Sequence, residues 1–281
     1  MFKHRALALM LKLSAKLPLR AVHFLGATLS WASYLSYKKY AHLINTNLRL
    51  SHLKKDSISF KKTLILNISE TGKAFLETFA IWFKDYSKLS QWYQGCTGWE
   101  HVDAGLAKGK GIIFLTPHLG CFEITSLYYG QFHPITVLFR PPRQDWLMPL
   151  ISQGRKRGNV RLAPANAQGV KLLLQALKRG EAIGILPDQA PHEGEGEWVP
   201  FFGRSAYTMT LASKLAEKSG AQVLMAFGER LANGRGYHIH IKPIAEGGIN
   251  TPELLNQEIE KAIAQCPSQY MWVYDRYKVR N

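Results

Sequence analysis

The apolar positions of the chain change period near residue 100. Between 58 and 83 they recur at three- and four-residue spacing, with Leu64, Ile68, Phe75, Leu76, Phe79 and Trp82 on one stripe. That is the pattern of a helix with one buried face. Residues 41–100 as a whole read as helical, and Gly95 and Gly98 close the pattern. Beyond 100, short apolar runs alternate with helix-length segments. Strands are expected at 111–116, 135–140, 160–162, 182–186, 222–227 and 237–242, and helices at 119–129, 145–157, 167–179, 207–219 and 252–265. Strands separated by helices of that length build a largely parallel sheet covered on both faces. The last two strands, joined through Asn233 and Gly234, read as a hairpin at the sheet edge. The expected fold class is α/β: a mixed, largely parallel sheet flanked by helices over residues 101–281, behind a helical region at 1–100.

The start of the chain adds a membrane to this picture. The first forty residues are apolar and basic, with Lys3, His4, Arg5, Lys12, Lys16 and Arg20 among leucines and alanines. Residues 21–37 run seventeen positions without a formal charge and end at Lys38 and Lys39. Seventeen is at the short limit for a spanning helix, and this run includes His23, Gly26, Thr28 and three serines. Trp31, Tyr34 and Tyr37 are residues that favour an interface. The pattern favours helices embedded in or lying on a membrane over a true span; a buried helical hairpin would show it too. No small-residue cleavage site follows a short apolar core, so a removable signal peptide is not expected.

Charge is the compositional outlier. The 281 residues hold 36 Lys and Arg against 20 Asp and Glu, a net of +16. Such an excess favours acidic partners: an anionic membrane face, a phosphorylated substrate, an acidic protein or a nucleic acid. The arginines are not interleaved with a stacking surface and no nucleic-acid-binding signature is present, so no nucleic acid partner is expected. Three cysteines, Cys96, Cys121 and Cys266, fit reduced thiols better than a disulfide framework.

The candidate chemistry sits at strand ends. The run from Ile112 to Leu115 stops at Thr116 and Pro117; His118 follows, and Glu123 lies five residues later. In open α/β sheets, ligands collect outside the carboxyl ends of strands. A histidine there with a carboxylate nearby is a candidate general base with its orienting partner. Five residues is about 500° of helix, which leaves the two side chains about 140° apart. They can meet only if His118 precedes the helix and folds back over its first turn. Taken alone, the pair also fits a solvated loop histidine and a first-turn carboxylate. Cys121 could be a nucleophile beside His118, but a free cysteine is more commonly a small buried hydrophobe. A second strand end, Gly184 to Leu186, leads into Pro187, Asp188 and Gln189 and places Asp188 at the same sheet edge. Between them, residues 140–161 carry Arg140, Arg143, Arg155, Lys156, Arg157 and Arg161 against one acid, Asp145. Arginine suits bidentate recognition of phosphate or carboxylate. The loop bearing His192, Glu193, Glu195 and Glu197 reads as a solvated, glycine-spaced segment, and no metal or cofactor is expected.

Taken in order, the Thr116–Pro117–His118 to Glu123 motif, the basic block with Arg155, the Pro187–Asp188–Gln189 strand end, the segment from Val199 through Arg204 to Thr208, and the closing segment from Pro267 through Trp272 to Arg276 resemble the lauroyl/myristoyl-type acyltransferases of lipid A biosynthesis, within the lysophospholipid acyltransferase-like superfamily. The resemblance covers most of the chain. It implies an inner-membrane enzyme of lipopolysaccharide biosynthesis, facing the cytoplasm. Such an enzyme moves a fatty acyl group from acyl carrier protein to a hydroxyl of an anionic lipid acceptor, a lipid A precursor. It implies His118 as general base, Glu123 as its orienting carboxylate, and Arg155 and Asp188 as further site residues. Gln189, Arg140 and Arg204 complete the expected substrate-binding set. The chain is shorter than typical members, so a different acceptor stays open: a lysophospholipid, an ornithine-type lipid or a polyene lipid.

Overall fold

The computed structural model describes residues 12–53, 56–142 and 144–278. Lys3, His4, Arg5 and Arg143 lie outside the described residues. All six expected strands form, and a seventh joins them. The sheet contains β1 (Tyr93–Thr97), β2 (Ile112–Leu115), β3 (Ile135–Phe139), β4 (Val160–Pro164), β5 (Ala182–Ile185), β8 (Gln222–Arg230) and β9 (Tyr237–Pro243), in the order β1-β9-β8-β2-β5-β3-β4. Neighbours run parallel except β8 and β9. The remaining strands, β6 (Gly196–Phe201) and β7 (Arg204–Met209), pair only with each other.

Strand alternation splits the core into two layers. Ile113, Leu115, Ile183, Ile185, Val223 and Met225 face α8 (Ala167–Lys178), α9 (Leu211–Ser219) and α10 (Pro252–Gln265). Ile112, Phe114, Ala182, Leu224 and Ala226 face the opposite layer, made by α5 (Trp99–Ala107), α6 (Phe122–Tyr129) and the end of α3 (Ser57–Phe83). Central strands buried on both faces read as continuous apolar runs, and each buried Ile or Leu contributes about 1.5–3 kcal/mol of transfer free energy.

The helical region begins with α1 (Leu19–Ser36) and α2 (Lys38–Leu50) before α3, and the one-turn α4 (Tyr86–Leu89) follows it. Asp56 caps α3 by accepting from Ser59 N–H at 2.7 Å. The axes of α1 and α3 meet where both carry glycine: a Cβ on Gly26 would lie 2.5 Å from the Gly72 carbonyl oxygen. Beside this crossing, Glu77 of α3 accepts from Arg230 Nε at 2.8 Å and Tyr237 hydroxyl at 2.9 Å, and meets His23 Nε2 at 2.9 Å. Arg230 Nη1 also donates to Glu70 at 2.6 Å. A charged cluster thus ties the helical region to β8 and β9. Outward, α1 shows Phe24 and Leu35, and α3 shows Ile58 and Phe75, each well over half exposed. No helix among the described residues is long and apolar enough to cross a membrane.

Three expectations are corrected. Residues 93–97 form the edge strand β1 rather than helix, and they cover β9, so the β8–β9 hairpin is not the edge. Tyr93–Thr97 contains Gly95 and no apolar run, which hid it from periodicity. The helix expected from 207 starts at Leu211, because Tyr207 belongs to the β6–β7 hairpin. The turn of that hairpin is Phe202-Gly203, both at positive φ. Two-residue turns of this kind are signalled by Asn-Gly or Asp-Gly; here Phe202 holds the conformation because it packs on Trp272 and donates its N–H to Glu260 at 2.6 Å. Finally, the helix expected at 145–157 is a 3-10 turn, Asp145–Leu147, followed by the short α7 (Met148–Arg155).

Candidate active site

Strands β2 and β5 are parallel neighbours with Leu115 opposite Ile185. Each ends in a residue, a proline, and then an ionisable side chain: Thr116–Pro117–His118 and Leu186–Pro187–Asp188. Equal offsets from equal register bring His118 and Asp188 together across 70 residues of sequence. His118 Nδ1 lies 2.9 Å from Asp188 Oδ1, and the His118 N–H donates to Asp188 Oδ2 at 3.0 Å. A carboxylate only accepts, so Nδ1 carries a proton and, in the neutral ring, Nε2 presents a lone pair. The amide of Gln189 sits 3.2 Å from Nε2. Asp188 is buried, which alone would raise its carboxyl; the His118 contacts outweigh burial and hold it below the ordinary value.

The turn that carries His118 is fixed from behind. Gly120 has φ of 61°, and a Cβ there would lie 2.1 Å from the Gly228 carbonyl oxygen. Its carbonyl accepts from Arg230 Nη2 at 3.2 Å, and its N–H donates to the Gln269 carbonyl. Cys121 N–H donates to Gly228 O at 2.8 Å. The N–H groups of Gly120 and Cys121 are therefore already paired within the fold. The closing segment braces the front: Met271 N–H donates to His118 O at 3.1 Å, and Ala190 N–H donates to the Tyr274 hydroxyl at 3.0 Å.

Glu123 does not hold the His118 ring; that expectation is corrected by the geometry. As α6 begins at Phe122, Glu123 points instead to Arg155 at the end of α7. Arg155 Nε lies 2.9 and 3.1 Å from the two carboxylate oxygens, its Nη2 completes the pair, and Trp82 Nε1 donates at 3.0 Å. The Arg155 guanidinium also lies over the Trp82 ring, 5.4 Å from its centroid. Burial alone would lower the Arg155 proton affinity; Glu123 overrides it, and the net direction is upward. Trp82, read from sequence as core packing, is therefore part of this cluster. Its place on the apolar stripe gave no sign of the contact.

Both clusters border a cavity of about 600 Å³. His118, Gln189, Glu123, Arg155 and Arg140 line it together with Val137, Phe139, Leu162 and Leu186. Asp188 stands behind His118. Arg204 is elsewhere: it projects from β7 onto the Tyr277 ring, 3.7 Å from guanidinium carbon to centroid, away from the cavity. Cys121 is sealed from solvent, and burial pushes its thiol well above the ordinary value, which disfavours a nucleophile. Among the described residues no group of three or more His, Cys, Asp or Glu side chains is placed to hold a metal.

An imidazole locked by a buried carboxylate at the carboxyl end of a parallel sheet, facing a partly apolar cavity, defines an α/β fold built around an aligned histidine–aspartate pair. The chain belongs to the bacterial lipid A biosynthesis acyltransferase family, whose model matches residues 4–279. It is similar to the lipid A biosynthesis lauroyltransferase of Escherichia coli (strain K12), with 28% identity over 95% of this chain and 89% of the relative. The palmitoleoyltransferase of the same strain is 27% identical over 94% of this chain and 87% of the relative. The myristoyltransferase of that strain is 24% identical over 65% of this chain and 58% of the relative.

Proposed function

We propose that the protein transfers a fatty acyl group from an acyl carrier protein thioester to a hydroxyl of a lipid A precursor, at the cytoplasmic face of the inner membrane, with His118 as general base. The observation that carries this reading is the fixed His118 ring, with Nδ1 on Asp188 and Nε2 toward the cavity. An acceptor hydroxyl would replace the Gln189 amide at Nε2. As its oxygen attacks the thioester carbonyl carbon, its proton passes to Nε2, and Asp188 stabilises the imidazolium. The tetrahedral intermediate then breaks its C–S bond, and the departing thiolate takes the proton back from Nε2. Glu123 acts by aligning Arg155, whose Nη1 makes no hydrogen bond among the described residues and serves as donor to the developing oxyanion or to an acceptor phosphate. The apolar wall formed by Val137, Phe139 and Leu186 suits a hydrocarbon chain. The relatives' names support acyl chains and lipid A as the chemistry. The exposed apolar side chains of α1 and α3, with the net positive charge, support an anionic membrane surface.

The test is an assay of purified protein with acyl carrier protein thioesters of several lengths, against a lipid A precursor and a lysophospholipid. His118→Ala should lower transfer by on the order of 10²–10⁴ while thermal unfolding stays cooperative. Full activity in that variant removes the general-base assignment, and turnover of the lysophospholipid alone moves the acceptor to another lipid class.

A further inference from the structure

A second cleft, of about 660 Å³, is lined by Trp82, whose indole N–H donates to Glu123 of the first cavity. Arg155 and Arg157 divide the two spaces: Arg155 lines the catalytic cavity and Arg157 lines this cleft. Five cations reach the cleft, Lys12, Lys16, Lys84, Lys88 and Arg157, against one acid, Asp85. Asp85 accepts from the Ser87 hydroxyl at 3.1 Å. Among the described residues none of the five forms an ion pair with a carboxylate. Five converging cations with a single carboxylate among them repel one another, and an anion placed among them relieves that repulsion.

The cleft is built rather than a chance scatter of lysines. Arg157 is fixed by three main-chain carbonyls, donating to Gly154 at 2.8 Å, Lys84 at 2.7 Å and Ile81 at 2.6 Å. The Lys84 ammonium donates to Ala15 O at 3.1 Å and lies over the Trp92 ring, 4.7 Å from its centroid. Burial and the nearby Lys88 lower its proton affinity, a direction an anion would reverse. The rim points to an amphiphile. Leu13, about half exposed, sits between Lys12 and Lys16, and α1 follows with Phe24 exposed. Apolar side chains beside uncompensated lysines match a lipid whose tails leave its phosphate at the protein surface.

We propose that this cleft binds the phosphate headgroup of an anionic membrane lipid, at a site separate from the catalytic cavity and independent of the transfer reaction. It anchors the enzyme at the meeting of α3, α7 and the N-terminal segment. The site is tested without turnover. Full-length protein is sedimented with phosphatidylcholine vesicles and with phosphatidylcholine–phosphatidylglycerol vesicles. Each membrane-facing lysine is worth about 1 kcal/mol, so Lys16→Gln with Lys88→Gln should weaken binding to the anionic vesicles about 30-fold. Binding to phosphatidylcholine alone should not change. The remote pair Lys108→Gln with Lys110→Gln should change anionic binding by less than about threefold. Equal losses from both pairs overturn the cleft as a site. In a second arm, acetylation of Lys16 and Lys88 is mapped by mass spectrometry. Protection by anionic vesicles but not by inorganic phosphate at matched ionic strength supports the lipid assignment. Equal protection by inorganic phosphate overturns it in favour of free phosphate, and no protection by either overturns the site altogether.

Discussion

Glu123 grips Arg155 and Glu77 grips Arg230 in the same forked way, yet the two pairs face different surroundings. Arg155 keeps about a fifth of its side chain exposed, toward the cavity, whereas Glu77 and Arg230 are each 1% exposed. The sealed pair is completed by Glu70, His23, Tyr237 and the Gly120 carbonyl. Its charges are consumed inside the fold, where they fix the helical region against the His118 turn. The pair at the cavity leaves one guanidinium edge uncommitted, and the neighbouring His118 turns toward the same space a ring nitrogen met by the Gln189 amide at 3.2 Å. Local chemistry alone does not separate a structural ion pair from a working one. What separates them is whether any valence is left over and whether a cavity adjoins it.

The largest effect is expected on the cavity side. Asp188→Asn keeps the shape but offers an amide to Nδ1, which favours the tautomer with its proton on Nε2 and removes the lone pair from the cavity. Transfer should fall by on the order of 10³–10⁴, measured as kcat on purified enzyme, with a nearly unchanged thermal midpoint. Next comes the sealed side. Arg230→Met leaves Glu77 buried without its main partner and should cost about 3–5 kcal/mol in urea unfolding. Arg155→Met should lose activity with a smaller stability cost, because Glu123 keeps Trp82 and borders the cavity. Equal stability losses in the two variants would erase the distinction.

Much of this architecture is legible in sequence because burial writes itself as apolar runs. Ile112–Leu115 and Ala182–Ile185 are buried at every position, and the α3 stripe is regular. The sheet edge that carries His118 and Asp188 follows from those strands. What periodicity does not carry is the partner of a polar side chain. Nearness in sequence suggested Glu123 for His118, whereas register delivered Asp188; the repeated strand–residue–proline pattern before each of them was the signal that paired them. Nothing along α3 marks Glu77 as buried, since a glutamate on an amphipathic helix ordinarily faces water. Arg204 shows the converse: it lies in a family segment, yet the hairpin aims it at Tyr277.

Acid should expose the sealed pair's contribution. Burial would raise the Glu77 carboxyl, but Arg230 and His23 outweigh it and the net direction is down, below the ordinary value of 4.5. A carboxylate depressed in the folded state stabilises fully above its unfolded value, and that contribution is lost as pH falls through the folded one. The stability gap between the wild type and Glu77→Gln should therefore be largest near neutrality and shrink below about pH 4.5. Thermal melts of both proteins across that range check the sign; a gap that widens in acid would contradict it.

The smallest effect belongs to a third forked pair that has neither a sealed interior nor a cavity. Glu181 accepts from Arg179 Nε at 2.9 Å and Nη2 at 2.7 Å, and from Arg161 at 3.0 Å. The two arginines are about half exposed or more. Their geometry matches that of Arg230 on Glu77, so burial is the variable that differs. Water already solvates these charges and salt screens them, so Glu181→Ala should cost only about 0.2–1 kcal/mol, and the cost should fall with added salt. Urea unfolding of Glu181→Ala and Arg230→Met at low and high ionic strength compares one geometry in two dielectrics. A salt-insensitive loss at Glu181 as large as that at Arg230 would mean that bidentate geometry, and not burial, sets the strength of these pairs.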